Sequence, residues 1–184
     1  KVVSGELSEL EINAKGKNVL VIGGGDTGSD CVGTSIRQGA NKVYQFEIMP
    51  KPMEWNQGSN PSWPEWPRIL RTSSSHLEGC ERKWNVDTEK FSGVDGKVTK
   101  AHLTNIKWEP SKDGGRPDMV KLDNFDIDVD LVFLAMGFVH VEHGSLTEQL
   151  VQEGVKLDER GNISVSDFKA TDDGIFAAGD AITG

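Results

Sequence analysis

The chain has 184 residues, enough for one domain and part of a second, and 36% of them are hydrophobic, enough to build a core. A net charge of −9 argues against a nucleic-acid backbone or an anionic membrane surface as partner. No apolar run approaches the ~20 residues that span a bilayer, and the first residues lack the apolar region of a signal peptide.

Residues 1–17 read as a polar connector with one amphipathic turn. Asn18-Val19-Leu20-Val21-Ile22 is the run of a buried strand, and it enters the turn Gly23-Gly24-Gly25-Asp26-Thr27-Gly28. A helix is expected over residues 26–38. Cys31, Val32, Ser35 and Ile36 fall on one face at helical spacing, and Gly39 is a natural stop. Residues 42–48 read as the second strand. Residues 50–67, rich in Pro and Trp, read as an ordered loop anchored by Trp55, Trp63 and Trp66, since such rings are costly to leave in water.

Three extended segments are expected next, over residues 84–91, 98–109 and 120–129, with Asp95-Gly96 and Asp113-Gly114-Gly115 as turns. Three in succession suggest an antiparallel insert on a parallel sheet. Residues 131–136 are continuously apolar, as in a strand buried on both faces, and Gly137 follows. A short helix is expected over 147–152, with Gly154 as its stop. Finally, Ile175-Phe176-Ala177-Ala178 reads as a short buried strand ending in Gly179-Asp180. Asp180 there suits either hydrogen bonding to ligand hydroxyls or capping of a following helix.

The glycine turn carries the chemistry. Gly23, Gly25 and Gly28 have the G-x-G-x-x-G spacing of dinucleotide-binding folds, with a strand before and a helix after. The first glycine permits the tight turn. The second lets a pyrophosphate approach the backbone, and the third lets helix and strand pack closely. The anion then meets free N–H groups at the positive end of the helix. Thr27 has a hydroxyl for a phosphate oxygen, and Asp26, close to that anion, is expected to turn aside or cap backbone N–H groups. Glu47 lies about 20 residues on, where a carboxylate accepts from the adenosine ribose 2′-hydroxyl and repels a 2′-phosphate. This favours NADH over NADPH, although Lys51, Arg68 and Arg71 are later cations able to reach a phosphate. A solvated glutamate at a strand end is the alternative for Glu47. Met136 and Gly137 are expected near the nucleotide or at a domain junction.

Cys31 and Cys80 make no C-x-x-C pattern and read as free thiols in a reducing, cytoplasmic setting. His76, His102, His140 and His143 lack the joint spacing of a zinc site and read as surface histidines.

Together, Gly23 to Asp30, Leu134-Ala135-Met136-Gly137 and Ile175 to Asp180 stand in the order seen in the two-dinucleotide flavoprotein reductases, which this chain resembles. A narrower resemblance is to the small (beta) subunit of glutamate synthase. It rests on Gly23 through Arg37, Glu47-Ile48-Met49-Pro50-Lys51-Pro52 and Trp63-Pro64-Glu65-Trp66-Pro67-Arg68. The resemblance implies an α/β fold: a Rossmann-like parallel sheet with an antiparallel insert over residues 18–139, and a return segment of an FAD-binding domain over 140–184. It also implies NAD(P)H oxidation at FAD, with Gly179 and Asp180 as flavin contacts. Electrons would pass through iron–sulfur clusters to a large subunit that makes glutamate from 2-oxoglutarate and glutamine. The chain has neither the family's N-terminal cysteine cluster nor its first FAD-type glycine motif, so it is expected to correspond to the middle of such a subunit and to be inactive alone. Two other readings are an electron-input module of the dihydropyrimidine dehydrogenase kind and a non-catalytic NAD-binding domain.

Overall fold

A strand that is apolar on both faces organises the first part of the molecule. The computed structural model describes residues 12–54 and 69–183. Residues 1–11 of the connector, together with Trp55, Trp63, Trp66 and Arg68, lie outside the described residues. Contacts divide the chain into two units, Lys1–Met136 and Gly137–Gly184.

In the first unit, β1 (Asn18–Ile22) leads through the glycine turn into α1 (Asp26–Arg37), and β2 (Lys42–Glu47) follows. After α2 (Ser74–Leu77) come β3 (Glu81–Trp84), β4 (Val86–Val94), β5 (Lys97–Glu109), β6 (Asp118–Asp128) and β7 (Leu131–Leu134). The parallel sheet has the order β3-β2-β1-β7, and the antiparallel sheet is β4-β5-β6.

Strand alternation divides β1 between two cores. Val19 and Val21 pack with Val32, Val43 and Ala135, on the side that also receives Cys31 and Ile36 of α1. Leu20 and Ile22 pack on the opposite side with Phe46, Ala101, Leu103, Phe125 and Ile127. The antiparallel sheet therefore covers the face of the parallel sheet that α1 leaves open. Burying each large aliphatic side chain stabilises the fold by roughly 1.5–3 kcal/mol. Phe46 and Phe125 meet edge to face across this second core, with centroids 6.3 Å apart.

Three local expectations differ from the structure. The chain around Trp84 is not one strand. Asn85 takes a left-handed φ of 57°, so Trp84 ends β3, which pairs parallel with β2, and the antiparallel sheet starts at Val86. The apolar run after residue 130 is half-buried, because β7 stands at the end of the strand order; Leu134 is 64% exposed. The hairpin at Asp95-Gly96 is as expected, with φ of 51° and 73° fitting a tight two-residue turn.

In the second unit, α3 (Ser145–Gln152) is followed by Gly154 at φ 93°, which ends the helix. Buried Thr147 holds the approach to α3 by donating to the Glu142 carbonyl at 2.6 Å. Asn162, fully buried, accepts the Val141 N–H at 3.3 Å and donates its own N–H to Asp158 at 2.9 Å. The third difference lies here. Residues 175–178 form no strand; Phe176 makes an isolated antiparallel bridge to Lys169 and is 67% exposed. Asp180 opens a single helical turn, α4 (Asp180–Thr183).

Candidate functional site: a glycine turn at a sheet switch point

The order β3-β2-β1-β7 reverses direction between β1 and β7. Crevices for ligands form at such switch points, outside the carboxyl ends of the strands. There the glycine turn sits. Gly23 N–H donates to the Phe46 carbonyl at 2.9 Å, and Ala135 N–H donates to the Ile22 carbonyl at 2.7 Å. Gly23 has φ 118°, and a Cβ on it would stand 2.0 Å from the Ala135 oxygen, so only glycine fits. Met136 follows at the end of this strand, exposed, and Gly137 opens the second unit with φ 81°.

The other two motif glycines divide the remaining tasks. A Cβ on Gly28 would stand 2.4 Å from the Gly23 oxygen and 2.9 Å from Gln45 Nε2, so this glycine allows close approach of α1 to the strands. Gln45 is itself buried, and its Nε2 donates to the Gly23 carbonyl at 3.0 Å. A Cβ on Gly25 would meet nothing within 4 Å. Gly25 therefore faces open space at the head of α1. It is the N-cap residue, and no side chain caps the helix. The first main-chain bond of the helix runs from Ser29 N–H to the Gly25 carbonyl at 3.0 Å. The N–H groups of Asp26, Thr27 and Gly28 precede it, which is the arrangement that receives an anion.

Glu47 is tied into this turn. Its Oε2 accepts the Gly24 N–H at 2.5 Å and its Oε1 accepts the Met49 N–H at 3.1 Å. Each oxygen keeps a lone pair for a ribose hydroxyl.

Sequence reasoning missed a second wall. Ser73, the N-cap of α2, shares a capping box with His76: Ser73 N–H donates to His76 Nδ1 at 3.0 Å, and His76 N–H donates to Ser73 Oγ at 3.4 Å. Ser73 Oγ also meets Ser29 Oγ of α1. Gly24, Gly25, Asp26, Ser29, Arg71, Ser73 and His76 enclose a cavity of about 200 Å³. His76 is not the surface histidine expected from its spacing; it is 9% exposed. Burial holds its pKa below the ordinary range, with nearby Arg82 adding to the effect. The available signal was local, in Ser73 followed three residues later by a side chain able to reach back.

Burial also pushes both thiols up, aided at Cys31 by Asp30 and opposed at Cys80 by Arg82. No cluster of His, Cys, Asp and Glu suited to a metal ion occurs among the described residues.

Residues 4–184 match the pyridine nucleotide-disulphide oxidoreductase family. The chain belongs to that family. Among curated proteins, it is 47% identical over 172 residues to the glutamate synthase (NADPH) small chain of Mycobacterium tuberculosis, covering 92% of this chain and 33% of that one. It is 36% identical over 193 residues to the glutamate synthase (NADH) of Saccharomyces cerevisiae, covering 97% of this chain and 9% of the yeast protein. The resemblance drawn from the motifs is thus borne out. The chain spans about a third of the length of the M. tuberculosis relative. Among solved structures, the thioredoxin reductase of T. acidophilum superposes with a TM-score of 0.58 at 25% identity, covering 92% of this chain and 46% of that one. The thioredoxin reductase of Lactococcus lactis, at 20% identity and a TM-score of 0.57, shares the fold.

Proposed function

We propose that this chain is the NAD(P)H-binding portion of an electron-input reductase of the glutamate synthase small-subunit kind. The observation that carries the reading is the uncapped head of α1, where Gly25 faces open space beside the switch point of the sheet. A pyridine dinucleotide fits there: its pyrophosphate on the N–H groups of Asp26, Thr27 and Gly28, its adenosine ribose beside Glu47. When bound, the nicotinamide supplies hydride chemistry. The chain's own residues bind and orient. Gly24 and Gly25 let the pyrophosphate approach the backbone, Thr27 offers it a hydroxyl, and Glu47 accepts from the ribose. Met136 and Gly137, which follow Ala135 beyond the end of β7, would lie near the nucleotide or at a domain junction. The Glu47 carboxylate favours the free 2′-hydroxyl of NADH.

In a small subunit of that kind the hydride would pass to FAD, with Gly179 and Asp180 among the flavin contacts. Iron–sulfur clusters would carry electrons onward to a large subunit that forms glutamate from 2-oxoglutarate and glutamine. Asp180 is exposed on a single helical turn. One exposed carboxylate does not by itself make a flavin pocket. Free Cys31 and Cys80 fit a reducing, cytoplasmic setting.

The test is calorimetry with NADH. Wild type should bind and Gly25→Val should not, because the added side chain fills the space a pyrophosphate needs. Equal binding by both proteins sinks the reading.

A further inference from the structure

Three polar side chains meet across the antiparallel sheet, one from each strand. Ala101 and Leu103 of β5, with Phe125 and Ile127 of β6, face the core, so His102 and Asp126 between them point to the other face. Ser92 Oγ of β4 lies 2.7 Å from His102 Nε2. His102 Nδ1 lies 2.8 Å from Asp126 Oδ1. A carboxylate only accepts, so the neutral ring carries its proton on Nδ1. Nε2 then has its lone pair free, and the Ser92 hydroxyl donates to it. Hydroxyl, imidazole and carboxylate stand in the order of a nucleophile, its general base and the group that orients the base.

The strands aim these groups. His102 and Asp126 are directly opposed in the ladder, while Ser92 stands opposite Lys100. The register of β4 on β5 shifts just after Ser92: Gly93 pairs with Val98, which leaves Thr99 as an extra residue. Bulges of this kind re-aim side chains and are over-represented beside active sites. A Cβ on Gly93 would stand 2.3 Å from the Lys97 carbonyl oxygen, so glycine lets the strands close there. The base is sheltered and the nucleophile open: the His102 side chain is 24% exposed, and Ser92 is exposed. Lys100 Nζ lies 3.8 Å from Asp126 Oδ2 and 3.5 Å from Asp128 Oδ1. A cation is thus held on the same face, opposite the serine, where an oxyanion would develop.

We propose that Ser92, His102 and Asp126 form an acyl-transfer site for small carboxylic esters with a good leaving group. None of the three lines the cavity at the glycine turn. Ser92 and His102 are the catalytic residues, and Asp126 is a positioning residue. Ser92 Oγ bonds to the ester carbonyl carbon as its proton moves to His102 Nε2. The bond from that carbon to the leaving oxygen breaks, and Nε2 gives the proton to the departing alcohol. Water then bonds to the acyl carbon and passes a proton to Nε2. The bond to Ser92 breaks, Oγ recovers that proton, and a carboxylic acid is released. Ser92 stands on an open sheet face, so the site selects for the reactivity of the leaving group more than for the shape of the acyl group.

The full chain is treated with an alkyl fluorophosphonate, which loses fluoride to an activated serine, and the adduct is mapped by peptide mass spectrometry. Label is expected on Ser92 and not on exposed Ser145 or Ser164. With p-nitrophenyl acetate, release of p-nitrophenol should fall to background in Ser92→Ala and about tenfold or more in His102→Gln. Asp126→Ala is followed by nitrogen NMR of His102. Loss of the carboxylate releases Nδ1, so the tautomer with the proton on Nε2 should gain, and labelling of Ser92 should fall with it. A purely structural aspartate would leave labelling unchanged. All three variants should melt close to wild type, and Ser92→Ala should bind NADH as wild type does, which keeps this result separate from the dinucleotide reading. A wild-type chain with no adduct on Ser92, or an adduct that forms as fast in His102→Gln, overturns the proposal.

Discussion

Gly23 and Ala135 approach so closely that a methyl group on Gly23 would stand 2.0 Å from the Ala135 carbonyl oxygen. This contact joins the turn after β1 to the end of β7, the two strands that border the switch point. Gly23→Ala must push them apart and hold an L-residue at φ 118°. A loss of roughly 2–4 kcal/mol is expected from overpacking and backbone strain together, read in urea unfolding. Gly25→Ala meets open space and should unfold within about 1 kcal/mol of wild type, because only its intrinsic propensity changes. Its NADH affinity should nonetheless fall. Equal stability of the two variants removes the division of labour among the glycines.

Glu47→Gln keeps an acceptor for the Gly24 or the Met49 N–H and removes the charge. The ratio of NADH to NADPH affinity should fall by on the order of tenfold, about 1.4 kcal/mol. Paired titrations of the two dinucleotides check it. A ratio that does not move leaves Glu47 with a tethering role only.

Leu20 is fully buried between the two sheets, within the cluster of Phe46, Leu103 and Val129. Leu20→Ala should cost about 2–5 kcal/mol. Val19→Ala, in the cluster on the α1 side, should cost less because fewer carbons are removed. A denaturant series on both shows whether the two cores melt together.

The buried ring of His76 makes stability depend on pH. The unfolded chain binds this proton as pH falls through about 6.5, while the folded chain resists because burial depresses the pKa. The unfolded state thus holds more protons, and stability should decline as pH drops below that value. His76→Gln should flatten the slope, as thermal melts between pH 7 and 5 would reveal.

Burial of Cys31 and Cys80 favours their neutral thiols. Alkylation at neutral pH should therefore be slow against an unfolded control, since the thiolate is the reactive form. The same shifts predict a loss of stability as pH rises past the ordinary thiol value of about 8.5. Rapid labelling of the native chain at pH 7 would contradict the burial.

Most of the parallel sheet was legible because its signals are local. An apolar run, a glycine turn and a helix at 3.6-residue spacing place β1, α1 and β2 without reference to the rest of the chain. The hairpin at Asp95-Gly96 was legible for the same reason. The segment around Trp84 was not, because Asn85 breaks it into two strands through a left-handed φ that asparagine tolerates and sequence does not announce. Leu131 to Leu134 looked doubly buried since hydrophobicity reports composition; the strand order, which places β7 at one end, is a tertiary fact. His76 was misplaced because its burial depends on α2 packing onto α1, where Ser75 Oγ would stand 2.6 Å from a Cβ on Gly33.

One consequence follows from the alternation of β1. Its odd and even residues feed opposite cores, so the strand has no solvent face to absorb an error of register. Deleting a single residue from Val19–Val21 would turn the side chains beyond the cut to the wrong side, presenting the α1 face with residues shaped for the antiparallel sheet and the reverse. Insertions that a surface loop accepts would here scramble two interfaces at once. The antiparallel sheet is therefore as much a condition for the shape of the glycine turn as α1 is, although none of its strands lines that turn.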